Sequence, residues 1–404
     1  MNVLMIHQNF PGQFRHVASY FMKQPSTNLL AIGRDTAPGL QGVKLIKYRP
    51  MRGPRAGIHP YVHSYENAVL HGQQVQRLLL RLKGRGYRPD IVLGHPGWGE
   101  TLFVKDVYPD VPLVHFCEYY YRSVGADAGF DPEFPSNLDT GPRITARNAL
   151  HLINLERCDF GITPTRWQHS LHPEAYKPKI HIAHEGIPTD ALSPNPGAVF
   201  TLPNGKVLRV GDQVVTYVAR NLEPYRGFHI FMRAIPHILE KNPNANIVIV
   251  GAEGVSYGVK PEGYLSWKEK MEAEHPTDIT RVHFLGAVSY DKYRVLLQVS
   301  AAHVYLTYPF VLSWSLLEAM AVGCCVIASD TAPVKEVIED GVNGYLVDFF
   351  SFIDVAKKVS QALNEMAEQR SLRESARLRA QDYSVDKGVG KYTRIMAFAA
   401  NVNI

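Results

Sequence analysis

Cysteine is scarce in this chain of 404 residues, with four in all. Cys117, Cys158, Cys324 and Cys325 have the spacing of neither a disulfide framework nor a zinc site, so they read as small core residues. No run of about 18 apolar residues is present, which excludes a membrane-spanning helix. No Gly-x-Gly-x-x-Gly follows the first strand-like segment, which argues against a dinucleotide oxidoreductase. His59 and His63 have the spacing of a metal pair, but Pro60 lies between them and no Glu follows His59; neither metal nor cofactor is expected. Charge of one sign is also slight: 43 basic against 38 acidic residues give a net +5. That is too mild and dispersed for nucleic acid, although it suits an anionic substrate or lipid surface. The opening Asn-Val-Leu-Met-Ile lacks the basic and apolar regions of a secretory signal, so a cytoplasmic protein is expected.

What is present is a rhythm of short apolar runs and longer amphipathic stretches, the pattern of α/β units on a parallel sheet. Strands are expected at 3–6, 29–32, 91–93, 113–116, 160–163 and 180–183. Helices are expected at 12–22 and 65–83, the second burying Val69, Leu70, Val75, Leu78, Leu79 and Leu82. The rhythm breaks between Ala191 and Asp212, where three prolines surround an Asn204-Gly205 hairpin signal. It then restarts, with strands at 214–219, 246–250, 282–285, 303–306 and 325–328 and helices at 228–241, 290–299 and 315–321. A helix over 356–380 and a last one over 385–399 complete the chain. The expected division is 1–190, 191–382 and a terminal segment 383–404.

Three clusters carry chemistry. After the first strand, Gly12 in Pro11-Gly12-Gln13 would let backbone N–H groups approach an anion, or would merely permit a tight turn. At the end of strand 214–219, Arg220 and Arg226 lie six residues apart in one loop, placed to grip a diphosphate or to balance Glu223 at the surface. In the third cluster, Ser313 is a natural N-cap for a helix whose first N–H groups, at Trp314 and Ser315, could meet phosphate oxygen. Glu318 falls on that apolar helix, where a carboxylate needs partners; vicinal sugar hydroxyls fit, as would an arginine.

Arg220 and Arg226, Leu317-Glu318-Ala319-Met320-Ala321-x-Gly323 and Pro333-Val334-x-Glu336-Val337-Ile338-Glu339-Asp340-Gly341-Val342-Asn343-Gly344 together closely resemble the retaining glycosyltransferases of family 4. The C-terminal half carries the motifs; the N-terminal half matches in the Pro11-Gly12 loop and strand order. The resemblance implies a GT-B fold: two Rossmann-like domains with parallel sheets facing across a cleft, and a terminal helix crossing back to the first domain. It also implies that Arg220 and Arg226 neutralise the diphosphate of a nucleotide sugar and that Glu318 receives the ribose hydroxyls. Gly12 joins the donor site. The partner glutamate expected eight residues before Glu318 is Phe310 here. Where relatives often place a histidine, six residues after Pro112, the chain has Glu118, which would orient an acceptor hydroxyl, take its proton, or pair with Arg122.

The function so implied is metal-independent, retaining transfer of a sugar from a nucleoside-diphosphate sugar to a glycan or lipid-linked glycan, in cell-surface polysaccharide synthesis. The alternatives are a degenerate GT-B protein kept as a binding or scaffolding subunit, and a sugar-nucleotide epimerase. The basic stretch Lys44 to Arg55 reads either as a solvated loop or as a peripheral contact with anionic lipid at the inner membrane face. Trp98 and Tyr119 to Tyr121 would stack on sugar rings or anchor loops.

Overall fold

In the computed structural model, which describes residues 1–401, the chain divides into two units. One comprises Met1–Gly186 with the segment from Val385; the other is Ile187–Ser384. The second unit therefore begins upstream of the Asn204-Gly205 hairpin. Residues 402–404, the end of the expected terminal segment, lie outside the described residues.

The first unit is built on β1 (Asn2–Ile6), β2 (Asn28–Arg34), β3 (Lys44–Tyr48), β4 (Ile91–Gly94), β5 (Leu113–Phe116), β6 (Phe160–Thr163) and β7 (Ile180–Ile182). They run in parallel in the order β3-β2-β1-β4-β5-β6-β7. A parallel sheet is covered on both faces, so β1 is apolar throughout. Its Val3 and Met5 pack with Phe14, Val17 and Phe21, while Leu4 and Ile6 pack with Val75, Leu78 and Leu79. Helix Val385–Ala400 joins the first of these cores through Tyr392, Met396 and Ala399.

Several local expectations change. Lys44 to Tyr48, read as part of a basic loop, is edge strand β3, paired with β2 from Leu30↔Lys44 to Arg34↔Tyr48. Its exposed lysines are the charges that keep an edge from pairing further. The expected helix at 12–22 opens with a 3-10 turn, Gly12–Phe14, before Arg15–Met22. In helix His63–Gly84, Val75, Leu78 and Leu79 are buried as expected, but His71 and Gly72 are buried too, whereas Val69, Leu70 and Leu82 are half-buried. Tyr48 Oη draws His71 inward at 2.7 Å. Gly72 is there because a Cβ would meet the Gly99 carbonyl oxygen at 2.6 Å. Helix Thr140–Arg157, which opens at Gly141-Pro142, was not foreseen.

In the second unit the Asn204-Gly205 hairpin forms as expected, between β8 (Val199–Thr201) and β9 (Val207–Arg209). The main sheet is β10 (Val214–Asn221), β11 (Asn246–Ala252), β12 (Val282–Phe284), β13 (Ala302–Tyr305), β14 (Cys325–Ser329) and β15 (Tyr345–Val347), parallel in the order β12-β11-β10-β13-β14-β15. β15 is too short to announce itself by periodicity. The continuous helix expected over 356–380 is two, Phe352–Asn364 and Arg370–Ala380, each with its own buried face. Trp267–Glu274, a mostly polar helix, is a further addition.

Each sheet grows first to one side of its opening strand and then to the other. The switch points lie between β1 and β4 in the first unit and between β10 and β13 in the second. Crevices at the carboxyl ends of such strands are where open α/β sheets bind ligands.

Candidate functional site

At the switch point of the second unit is a cavity of about 570 Å³. Arg220, Arg226, Ser313, Trp314, Ser315 and Glu318 all line it. Six of the expected site residues, from two distant stretches of sequence, thus meet at one place.

The loop after β10 reaches the cavity because Gly227 adopts a left-handed conformation, φ +67, and a Cβ there would stand 2.3 Å from Leu306 Cβ. That close approach brings Arg226 onto the chain after β13. Its Nη1 donates to Thr307 Oγ1 at 2.7 Å, Val311 O at 3.2 Å and Tyr305 Oη at 3.3 Å. The guanidinium also lies over the Tyr257 ring, 5.5 Å from its centroid. Arg220 is exposed, and none of the described residues gives its side chain a hydrogen bond or ion pair. Glu223 does not balance these arginines. Its carboxylate is buried and accepts three backbone N–H groups, from Ser256 at 3.0 Å, Tyr257 at 3.1 Å and Gly258 at 2.9 Å.

Helix Trp314–Val322 starts after Ser313, as expected, yet the Ser313 hydroxyl does not cap it. It pairs with Ser315 Oγ at 2.9 Å instead, while the Ser313 backbone N–H donates to Tyr305 Oη at 2.9 Å. The first turn therefore presents hydroxyl and N–H groups together at the cavity wall. Glu318, 7% exposed, is paired with no arginine among the described residues. Oε1 accepts from Tyr290 Oη and Oε2 from Tyr293 Oη, both at 2.9 Å. Burial raises its pKa above the usual carboxylate value, outweighing the two phenolic donors. Phe310, where the resemblance expected a carboxylate, packs against Tyr257 at 4.9 Å and Tyr225 at 5.7 Å between ring centroids.

Gly12 and Glu118 lie in the first unit and belong to a different constellation, at the carboxyl ends of β1, β4 and β5. His7 Nδ1 accepts the Asn9 N–H at 3.0 Å, so Nε2 carries the proton and donates to Gln13 Oε1 at 2.7 Å. Gln13 Nε2 donates in turn to Glu118 Oε1 at 2.9 Å. The other carboxylate oxygen faces His95 Nε2 at 3.3 Å, and His95 Nδ1 accepts the Gly97 N–H at 3.1 Å. Burial acts to raise the Glu118 pKa, but His95 and Gln13 outweigh it and hold the group below its ordinary value. Burial, with His95 nearby, lowers His7 to about 3. Gly12, φ +45, passes directly over this imidazole: a Cβ would lie 2.3 Å from His7 Cε1.

The alternative partner for Glu118 is committed elsewhere, since Arg122 donates to the carbonyls of Leu171 and His172. Trp98 stacks on His95 at 4.3 Å and 22°, which makes it an anchor of that imidazole. His115 is fully buried on β5, with both ring nitrogens lacking a partner among the described residues. Reading by sequence missed His7, His95, Gln13, Tyr290 and Tyr293. For both imidazoles the signal was available: each is the first residue after a strand's carboxyl end.

Residues 25–192 match the family model described as Glycosyl transferase family 4 group, and residues 202–379 match Glycosyl transferases group 1. The chain is 26% identical over 172 residues to spore coat protein SA of Bacillus subtilis, an alignment covering 42% of this chain and 45% of that protein. It is 24% identical over 312 residues to D-inositol 3-phosphate glycosyltransferase of Mycolicibacterium smegmatis, covering 75% of this chain and 65% of the relative. In both, less than two thirds of the relative's length is matched. Among solved structures it is similar to Anabaena Alr3699/HepE in complex with UDP and glucose, at TM-score 0.69 and 15% identity, over 98% of this chain and 100% of that one. At that identity the likeness is one of fold, and the fold is GT-B, two Rossmann-like α/β domains.

Proposed function

We propose that this chain, which belongs to the glycosyl transferases of family 4 and group 1, moves a sugar from a nucleoside-diphosphate sugar to a glycan or lipid-linked glycan acceptor. The observation that carries the reading is the gathering of Arg220, Arg226, the start of helix Trp314–Val322 and Glu318 around one cavity at a topological switch point. Guanidinium groups and helix N-terminal N–H groups are the donors that a diphosphate seeks, and a buried carboxylate is the acceptor that a ribose diol seeks. Gly12, expected in the donor site, lies in the first unit over the His7 imidazole and does not line this cavity.

In the proposed reaction the bond from the anomeric carbon to the diphosphate oxygen breaks, and its electron pair stays on that oxygen. Arg220 and Arg226 stabilise the charge that develops there, so no metal is required. The acceptor oxygen forms the new bond on the same face, giving retention, and its proton passes to the departing diphosphate. Glu118 orients the acceptor hydroxyl. The biological setting we propose is polysaccharide synthesis in the cytoplasm. A peripheral contact with anionic lipid would use Lys44 and Arg55, since Arg52 is engaged by Glu66 at 2.8 Å, Arg49 lies 3.6 Å from Asp35 and Lys47 Nζ donates to the Asp35 carbonyl at 3.1 Å.

The test is release of nucleoside diphosphate from UDP-, GDP- and ADP-sugars in EDTA. Release abolished by Arg226→Ala and by Glu318→Ala supports transfer. Donor binding with no release above background supports the scaffolding reading, to which Phe310 in place of a carboxylate lends weight.

A further inference from the structure

Glu318 is not an open carboxylate. Both its donors, Tyr290 and Tyr293, come from helix Tyr290–Val299, and both line the same cavity. They differ in how they are held. Tyr293 is 7% exposed and packs in a core with Leu297, Leu316 and Leu317. Tyr290 is the first residue of the helix and 49% exposed. One phenol is thus fixed by packing, and the other stands at the edge on a side chain that can rotate without disturbing the core.

Resting on the reading of this cavity as a donor site, we propose that Tyr290 is a specificity-determining residue whose hydroxyl competes with the ligand's ribose for Glu318 Oε1. Each carboxylate oxygen has two acceptor positions. Tyr293, held in the core, stays on Oε2, whose second position takes a ligand hydroxyl; Tyr290, half-exposed on the cavity wall, occupies the approach to Oε1, so a hydroxyl that reaches Oε1 displaces it. A vicinal diol returns two bonds for the one broken. A sugar with a single hydroxyl takes the open position on Oε2, breaks nothing and also gains one. Tyr290 thus holds affinity for ribonucleoside diphosphates below what the carboxylate alone would give, and it removes the carboxylate's margin over their 2′-deoxy counterparts.

The experiment is calorimetric titration of UDP, GDP and ADP, and of the corresponding 2′-deoxynucleotides, into wild type, Tyr290→Phe and Tyr293→Phe in EDTA. Taking each bond to the carboxylate as roughly tenfold in affinity, the best ribonucleotide should bind Tyr290→Phe about tenfold tighter than wild type. Its 2′-deoxy analogue should bind Tyr290→Phe about tenfold more weakly than the ribonucleotide does, and wild type about equally. The deoxynucleotide on Tyr290→Phe should then match the ribonucleotide on wild type. Tyr293→Phe, which removes the fixed donor, should weaken binding. A merely structural Tyr290 would also weaken it, so the opposite signs of the two variants are the signature.

Unchanged or weaker binding to Tyr290→Phe overturns the proposal. So does a margin between ribo and 2′-deoxy forms that is the same on wild type as on Tyr290→Phe, a result that leaves the donor-site reading standing. If neither wild type nor Tyr290→Phe binds any nucleotide, the donor-site reading falls, and this inference with it.

Discussion

His95 Nε2 faces Glu118 Oε2 at 3.3 Å with its proton directed at the carboxylate, because Gly97 N–H occupies the other ring nitrogen. An imidazole N–H and an amide thus hold one carboxylate in place. Glu118 sits below the usual carboxylate range, so it is ionised across any neutral working range and suits orientation better than proton removal. Glu118→Gln should lower kcat/KM by roughly 10- to 100-fold, one charge-assisted bond, mainly through acceptor KM. The acid limb of the pH–rate profile should not move, and nucleoside diphosphate release at varied acceptor concentration would check both.

Glu223 accepts three backbone N–H groups from Ser256 to Gly258, and Tyr257 of that loop lines the cavity. An amide cannot accept all three, since its NH₂ opposes at least one N–H. Glu223→Gln should cost about 1 to 3 kcal/mol of stability and speed hydrogen exchange at residues 256–258. Exchange mass spectrometry with a melting curve would show both.

Arg226 makes its three protein contacts through one nitrogen, Nη1, while its planar group lies over the Tyr257 ring. A lysine places a point charge there and has donors enough for those contacts, but it offers neither the flat face nor a bidentate fork for a diphosphate. Arg226→Lys should therefore keep measurable nucleoside diphosphate binding, weakened roughly tenfold, whereas Arg226→Ala should lose it. Titration calorimetry on the two variants would distinguish charge from geometry.

Acid should loosen the first unit before the second. Burial lowers His7, His115 and His184 to about 3 and His172 to about 4, from an ordinary 6.5. In the second unit, His303 at about 4 and His283 shift the same way. The unfolded chain takes up protons below 6.5 while the buried rings do not, so this stabilisation is full above 6.5 and is lost as pH falls toward the folded values. Each such group removes up to about 1.4 kcal/mol per pH unit. Between pH 7 and 5, hydrogen exchange should therefore rise first in residues 1–186; equal or reversed loss between the units would contradict this.

Much of the fold could be read from the sequence because parallel strands declare themselves as short apolar runs. Ile91–Gly94 and Cys325–Ser329 are of this kind, and Phe228–Lys241 carries a clear helical stripe. Lys44–Tyr48 was missed because an edge strand carries the charges of a loop, and Tyr345–Val347 because three residues hold no period. The cavity residues were legible through their local chemistry: arginines after a strand, and a carboxylate on an apolar helix. Their partners were not. Nothing near Glu318 in the sequence points to Tyr290, which is 28 residues away, and Gln13 meets Glu118 across 105 residues. Such pairs exist only once the sheet order has brought the strand ends together.

On the function we propose, the second unit holds a nucleoside diphosphate through Arg226 and Glu318 without a metal. Its most direct test is a thermal-shift panel of UDP, GDP, ADP and CMP on wild type and Glu318→Ala, with EDTA and again with magnesium. One nucleoside diphosphate should stabilise wild type alone, equally in both conditions. Stabilisation of neither protein, equal stabilisation of both, or a strict need for magnesium would contradict it.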